Sequence, residues 1–399
     1  MAQNYPGYME KGMVWNESSV YLDPLTLRCV RRLTSTGVVN SVPTYHTAQS
    51  FTSDGKYMIF YTTRRGKTAL CKVELESGDI TCLIHPIDGL GGAGEIGIFG
   101  DGCGIDIGQV LGAKTHVAYF ISQGALRSVN IDTLEERVLI EKPDEGMAFD
   151  SIALTCDEKT LVFNLVNARK RFPKDFHFII KKLDLESGEI SAVLERTDVN
   201  GCHLMHNPTH PELIMLGMDH GPSIWDKADE NSRMWILDLR SSRLTNVETR
   251  AKQNFQTHAA WSYDGEAVIY HGQLGLSNWV DGLNRDGWYI GKSGLDGNCI
   301  REYSFPEARY YGHIGALAGR DGVLLDGLLM ENLLLFLDMS EETPRLEIIG
   351  RHDSDFYTMP GQYGHPHPIS DPTGKRIVFN SARREIWKSA RSDIYAIEI

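Results

Sequence analysis

The sequence has no apolar run of roughly 18 residues or more, the length that an α-helix needs to cross a membrane. We therefore expect no membrane-spanning helix. The first residues, MAQNYPGYMEKGMVWNESS, also lack a basic stretch followed by an apolar segment. Because a secretory signal peptide has both features, none is expected.

Cysteine is scarce and follows no framework pattern. The seven cysteines are scattered, are odd in number and never form a Cys-X-X-Cys motif. This distribution favours reduced thiols over disulfides, and therefore a cytoplasmic protein.

Positive charge is also in short supply. The chain has 40 Lys and Arg against 53 Asp and Glu, a formal net charge of −13. Proteins that bind nucleic acid or anionic membranes need the opposite balance, so neither partner is expected. An anionic small substrate could bind only where local cations oppose the overall field.

Short strands around tight turns are abundant. Clear copies of one repeat are SFTSDGKYMIFYTTR (50–64), AAWSYDGEAVIYHG (259–272) and PISDPTGKRIVFNSA (368–382). Less regular copies lie at 108–122, 151–165, 205–219 and 315–327. Each copy predicts two strands joined by a turn, and a second hairpin follows most of them.

Seven units of about 50 residues, with four strands each, are typical of a seven-bladed β-propeller. The predicted fold is therefore all-β, with four-stranded antiparallel blades in a single domain over residues 1–399. The last unit ends early, at SDIYAIEI (392–399). The N-terminal VYLDPLTLRCVRRLT (20–34) can supply its outer strand, which would close the ring and remove exposed sheet edges.

Histidines recur near the start of these repeats. The first strand of each blade lines the channel of a propeller, and even offsets along a strand share one face. With Asp321 taken as the turn residue of the sixth repeat, five histidines lie six or eight residues before their turns: His46, His258, His313, His365 and His367. His203 lies seven residues before His210 in a less regular turn, so the count does not fix its phase. For His46 and His203 a purely structural role is an equally good interpretation.

The most specific signal is GQYGHPHPISDPTG (361–374). Each proline disfavours helix for the residue before it, so we expect His365 and His367 to be extended. Residues i and i+2 of an extended segment share a face, which would aim both imidazoles at one point. With Gln362 and the other in-register histidines, they predict a metal site that leaves room for exogenous ligands.

A polar segment, MDHGPSIWDKADENSRMWILDL (218–239), is interpreted as the connection between blades four and five. It contains His220, and its Arg233 adjoins an apolar strand where a free charge would be costly. A guanidinium there could bind a carboxylate through two parallel hydrogen bonds. The alternative is an ion pair with an acid of the same segment, which would only anchor the loop.

In layout the chain resembles the oligogalacturonate lyases, seven-bladed propeller enzymes that degrade pectate oligomers with a divalent ion, usually manganese. The resemblance is sharpest in HLMHNPTHPELIM…DHGP…SRMWILDL, in THAAWSYDGEAVIYHG and in QYGHPHPISDPTGKRIVFNS. Two departures from the family pattern leave the exact substrate preference open. The chain has DHGP where family members commonly have HEGP, and the segment 274–291 looks longer than usual.

The resemblance implies roles for particular residues. His258 matches the proposed general base of the family, and Arg233 matches its active-site arginine. The metal ligands that it implies are Gln362, His365, His367 and His313. Contacts to an anionic uronate oligosaccharide are expected from His203, His220 and His46. Manganese is expected on the resemblance, with zinc or another divalent ion as alternatives.

The implied reaction is β-elimination at a 4-linked uronate, which gives a 4,5-unsaturated product. Three other functions are open. One is a propeller lyase for another uronate, such as ulvan or rhamnogalacturonan fragments. A second is a metal-dependent hydrolase, although no carboxylate pair has a convincing phase. The third is a non-catalytic TolB-like or WD-type interaction propeller. Monomer and homodimer are both compatible with the sequence.

Overall fold

The computed structural model describes residues 6–41, 49–88, 110–143, 146–167, 177–197, 199–220, 233–251, 254–274, 287–305, 312–327, 332–355, 364–383 and 391–399. At residues 200, 201, 219, 220 and 255 only the backbone is described. All structural statements below concern these ranges.

The described strands form seven antiparallel sheets, and blades two to six each contain four strands in chain order. Three strands precede the first blade: β1 (Val14–Asn16), β2 (Ser19–Leu22) and β3 (Cys29–Arg32). Blade one contains β4 (Val39–Ser41), β5 (Tyr57–Arg64), β6 (Lys67–Glu74), β7 (Asp79–Cys82) and β8 (Ile87–Asp88). Blade two contains β9 (Val110–Leu111), β10 (Val117–Ser122), β11 (Ala125–Asn130) and β12 (Glu136–Ile140). Blade three contains β13 (Ala148–Leu154), β14 (Thr160–Val166), β15 (Phe178–Asp184) and β16 (Ile190–Arg196).

The remaining blades continue the same series. Blade four contains β17 (Val199–His206), β18 (Leu213–His220), β19 (Met234–Asp238) and β20 (Leu244–Asn246). Blade five contains β21 (Phe255–Trp261), β22 (Ala267–Gln273), β23 (Trp288–Gly294) and β24 (Cys299–Phe305). Blade six contains β25 (Ile314–Ala316), β26 (Gly322–Leu325), β27 (Leu333–Asp338) and β28 (Arg345–Arg351). Blade seven contains β29 (Ile369–Ser370), β30 (Arg376–Ser381) and β31 (Asp393–Glu398).

The N-terminal strands complete the ring. In blade seven the order is β2-β3-β31-β30-β29, with Val30 opposite Ile397. Strand β1, which precedes β2 in the chain, pairs with β7 of blade one. There Trp15 lies opposite Ile80 and is fully buried. One short segment thus joins the last blade to the first. The seven-bladed propeller and its closure by an N-terminal strand are confirmed.

The hydrophobic core lies between neighbouring blades rather than at one centre. Between blades four and five, for example, Ile236 and Met205 pack in one cluster with Trp261 and Tyr270. Strand β22, in the middle of its blade, is buried at every position. Such strands are covered on both faces, which explains why their sequences are almost continuously apolar. Among the described residues, no helix is both long and apolar enough to traverse a bilayer.

The turn between the first two strands of a blade is built locally. In blade five, Ser262 Oγ donates to Asp264 Oδ1 at 2.6 Å, and Gly265 takes a positive φ of 75°. Glycine meets that backbone requirement without steric cost. The turn defines where the first strand ends. It therefore sets the position along the channel axis of each residue that precedes it in the strand.

Candidate metal centre and active site

Four blades bring a histidine to the same level of the channel. The last residue pairs of their first hairpins are His206 with Ile214, Trp261 with Val268, Ala316 with Val323, and Ser370 with Ile377. Counted from the residue that follows each first strand, four histidines lie four residues back: His203, His258, His313 and His367.

This register corrects two sequence-based phases. In blade six the residue equivalent to Asp264 is Gly319 rather than Asp321, so the predicted offset of His313 was two residues too long. In blade four the turn is one residue longer than in blade five, which explains the odd offset predicted for His203. The phase of His203 was affected by the length of its turn, and the phase of His313 by the choice of the wrong reference residue within a turn of ordinary length.

The HPHP segment is held differently from the prediction. The expectation that both histidines are extended is wrong for His367, which has a φ of 45° and lies before β29 begins. A proline restrains mainly the ψ of the residue before it, so a left-handed φ at His367 remains accessible at a cost of about 1–2 kcal/mol. The backbone N–H of Asn380 donates to the carbonyl of Pro366 at 2.8 Å and holds the segment against β30.

The three histidines nevertheless converge. One ring nitrogen each of His313, His365 and His367 lies within 4.8 Å of the others. The ring centres of His313 and His367 are 4.1 Å apart, and those of His313 and His365 are 5.0 Å apart. Metal–nitrogen bonds are about 2.1 Å, so two nitrogens on one ion lie roughly 3.0 to 3.4 Å apart at neighbouring positions and about 4.2 Å apart at opposite ones. Since three ligands cannot all lie opposite one another, the rings would need to close by roughly one to two ångströms. Three imidazoles are a donor set that suits a divalent ion.

Burial keeps the ring of His365 in the form that binds metal, and the other two rings of the cluster are buried as well. His313 and His367 are buried, with exposed fractions of 1% and 3%. Burial lowers the pKa of His365 to about 4, so its ring is neutral at neutral pH. A neutral imidazole is the state in which histidine acts as a metal ligand.

A buried carboxylate supports His313. Asp326 Oδ2 lies 3.0 Å from His313 Nδ1, and Asp326 Oδ1 accepts the backbone N–H of His313 at 2.8 Å. Asp326 is completely buried. Its carboxylate therefore contacts both the main chain and the ring of one candidate ligand.

His258 lies beside the cluster, with its ring centre 4.4 Å from that of His313. Its Nδ1 lies 2.9 Å from the carbonyl oxygen of Gly312. A carbonyl oxygen only accepts hydrogen bonds, so Nδ1 carries the hydrogen and Nε2 bears the lone pair. The same carbonyl lies 2.6 Å from His271 Nε2. Burial lowers the pKa of His271 to about 3, and the positive charge of Arg233 acts in the same direction.

Arg233 adjoins this pair. Its guanidinium Nη1 donates to the carbonyl oxygen of Thr257, the residue before His258, and its backbone N–H donates to Gln256 Oε1 at 3.1 Å. Arg233 directly precedes β19, which pairs with β18 in one sheet. The prediction that its segment connects blades four and five is therefore wrong, because the connection lies within blade four. The acids suggested as its partners, Asp226, Asp229 and Glu230, lie outside the described residues.

The other predicted site residues are described only in part. His203 lies in β17 and is partly buried. His220 ends β18, with only its backbone described. Gln362 and His46 lie outside the described residues.

Sequence reasoning missed Asp326 and His271. Asp326 directly follows β26 and lies across from His313, whereas His271 lies in β22, opposite the irregular stretch of β21 that contains His258. The available signal was the hairpin register itself. In blade six, for example, Ile314 pairs with Leu325, so the residue before Ile314, His313, lies across from the residue after Leu325, Asp326.

A cavity of about 370 Å³ lies at the opposite mouth of the channel. Trp261 and Ile369, at the ends of first strands, line it together with Phe51 and residues of the following turns. The histidine cluster is at the starts of the same strands, so the two features lie at different ends of the channel.

Comparison with models of protein families finds no match. Among curated proteins, an oligogalacturonide lyase of Pectobacterium atrosepticum is 23% identical over 304 residues, which cover 69% of this chain and 74% of that protein. An oligogalacturonate lyase of Dickeya dadantii is 22% identical over 384 residues, 90% of this chain and 92% of that protein.

Solved structures give the same result for the fold. A structure of oligogalacturonate lyase in complex with manganese has a TM-score of 0.75 and 20% identity, with 98% of both chains covered. The oligogalacturonate lyase of Vibrio parahaemolyticus has a TM-score of 0.74 and 18% identity, again over 98% of both chains. The resemblance predicted from the motifs is confirmed: along most of its sequence and in its fold, this chain is similar to the oligogalacturonate lyases.

Proposed function

We propose that this protein is a metal-dependent lyase that cleaves oligogalacturonides by β-elimination. The observation that carries the proposal is the convergence of His313, His365 and His367, with His258 beside them, at one mouth of a propeller channel. The similarity to oligogalacturonate lyases supports the substrate class.

The proposed metal ligands are the three clustered histidines together with Gln362. Three imidazoles alone would suit zinc, but an added amide oxygen and open positions suit manganese or another six-coordinate ion. The manganese complex of an oligogalacturonate lyase with this fold supports manganese. When bound, the ion would polarise the uronate carboxylate and so acidify the C5 proton.

His258 is the proposed general base. Since Gly312 accepts the hydrogen of Nδ1, the Nε2 lone pair is the one available to take the C5 proton. The C5–H electrons then form the C4=C5 double bond while the C4–O4 bond breaks. The O4 oxygen departs with the electron pair of that bond and takes up one proton, which balances the proton lost from C5, so no water is consumed.

Arg233 is the proposed carboxylate clamp. One of its N–H groups is directed at the Thr257 carbonyl, which orients the guanidinium beside the base. A guanidinium has five donors in a planar fork, a geometry that matches a carboxylate. Its charge would stabilise the negative charge that grows on the uronate as the C5–H bond breaks.

The decisive experiment is turnover of oligogalacturonate, followed by the ultraviolet absorbance of the unsaturated product. Activity should vanish with chelator and return with Mn²⁺. Absorbance gain on ulvan or rhamnogalacturonan fragments alone would redirect the substrate class. Reducing ends released without absorbance gain would indicate a hydrolase, and no product from any uronate would favour a binding propeller.

A further inference from the structure

We propose that Asp326 is a positioning residue that selects the metal-binding tautomer of His313. The inference deepens the proposed metal site and rests on it. A carboxylate has acceptors only, so the ring nitrogen that faces it must carry a hydrogen. With Nδ1 protonated against Asp326 Oδ2 at 3.0 Å, the lone pair of the neutral ring is on Nε2.

The carboxylate is itself held in place by the hairpin. The backbone N–H of Asp326 donates to the His313 carbonyl at 3.2 Å, whereas the His313 N–H bonds to the Asp326 side chain. One rung of the ladder between the two strands is thus replaced by a side-chain contact. Because the main-chain N–H is a permanent donor, Oδ1 is committed to it and only Oδ2 can face the ring.

The residue across the hairpin distinguishes the two neighbouring histidines. His313 has a buried carboxylate opposite it, whereas His258 has His271 opposite it and directs Nδ1 at a neutral carbonyl. A carboxylate behind an imidazole raises the basicity of a metal ligand and fixes its orientation. A buried carboxylate is also stabilised by a nearby cation, and a bound ion would supply that charge here. These contacts assign His313 to the ion and leave His258 for proton transfer.

Asp326→Asn is the informative variant because it keeps the shape of the side chain and replaces one hydrogen-bond acceptor with a donor. The amide oxygen must accept from the His313 N–H, so the amide NH₂ faces Nδ1. Nδ1 must then accept, which places the ring hydrogen on Nε2, where the ion would bind. We expect Mn²⁺ affinity to fall about 10- to 100-fold in calorimetric titrations of the chelator-treated protein.

The matched control is Asp371→Asn. Asp371 is also completely buried but lies at the turn end of the channel, where it accepts from the Lys375 backbone N–H at 3.0 Å. Its variant should keep wild-type Mn²⁺ affinity. An Asp326→Asn protein that folds and binds Mn²⁺ as tightly as this control would overturn the proposal.

A second measurement does not depend on how the variant folds or on whether an ion binds. Nitrogen-15 spectra of histidine-labelled, metal-free wild type report which ring nitrogen carries hydrogen, and His313→Gln identifies the signal. Hydrogen on Nδ1 supports the proposal, and hydrogen on Nε2 contradicts it. If wild type fails to bind any divalent ion while Nδ1 is protonated, the proposed function fails and the positioning of His313 by Asp326 still holds.

Discussion

At the scale of single residues, the chemistry depends on which nitrogen of each ring carries hydrogen. His258 and His313 lie 4.4 Å apart between ring centres and occupy equivalent positions in adjacent blades. Their neighbours differ, since Gly312 contributes a neutral carbonyl and Asp326 contributes a carboxylate. Equivalent positions can therefore serve different roles.

Replacement of the base tests this division. His258→Ala should lower turnover of oligogalacturonate by at least about 10²-fold, as expected when a general base is removed. Mn²⁺ content, measured by elemental analysis, should stay near that of wild type. If His258→Ala turns over normally while His313→Ala loses turnover but keeps the ion, the two assignments must be exchanged.

Arg233 gives a second test at this scale. Arg233→Lys retains the charge but loses the paired donors, so kcat should fall more than KM rises if the guanidinium acts on charge developing in the transition state. Steady-state kinetics on free-acid oligomers measure both constants. Little change in activity, with a lower melting temperature for Arg233→Ala, would instead indicate a residue that anchors its loop.

At the scale of elements, the HPHP segment lies outside the strands but is hydrogen-bonded to neighbouring parts of the chain. The Pro366 carbonyl is bound by β30, and the hydroxyl of Ser354 donates to the Gly364 carbonyl. These contacts hold His365 and His367 although neither lies in a strand. The left-handed φ at His367 is a costly backbone conformation, so the contacts that hold its segment must offset that cost.

His367→Ala should therefore separate metal binding from folding. The variant should lose most bound Mn²⁺, because one of three clustered imidazoles is gone, and alanine also disfavours the positive φ. Its β-type circular dichroism should persist, since blade stability comes from packing between sheets. Full ion occupancy in the purified variant would remove His367 from the ligand set.

At the scale of the whole molecule, stability depends on buried neutral histidines as well as on ring closure. Burial lowers the pKa values of His271 and His352 to about 3, below the ordinary value near 6.5. As the pH falls below about 6.5, the unfolded chain therefore binds protons that the folded chain does not. By linkage, the free energy of unfolding falls as the pH decreases.

We expect a loss on the order of 2 kcal/mol per such histidine between about pH 7 and 5. Urea unfolding across this range would measure it. His352→Asn should flatten the pH dependence, because an amide oxygen can replace Nδ1 as acceptor for the Ser354 N–H without titrating. An unchanged slope in this variant would show that His352 is protonated in the folded state.

The order of the blades and the closure of the ring were predictable because they depend on local sequence patterns. Turn residues and alternating apolar positions recur with each blade, and an unmatched strand remains at each end of the chain. The candidate ligands His365 and His367 were found in the same way, from one short motif. Such signals act over a few residues and need no knowledge of distant contacts.

Tertiary structure decided what the histidines contact. Asp326 and His271 were missed because their importance comes from lying across a hairpin from His313 and His258, which depends on register. The φ of His367 was mispredicted because β30 and Ser354 hold its segment against a local preference. The hydrogen bonds from β30 and Ser354 to this segment outweigh about 1–2 kcal/mol of local backbone preference. Ring orientation and tautomer are therefore properties of the assembled channel.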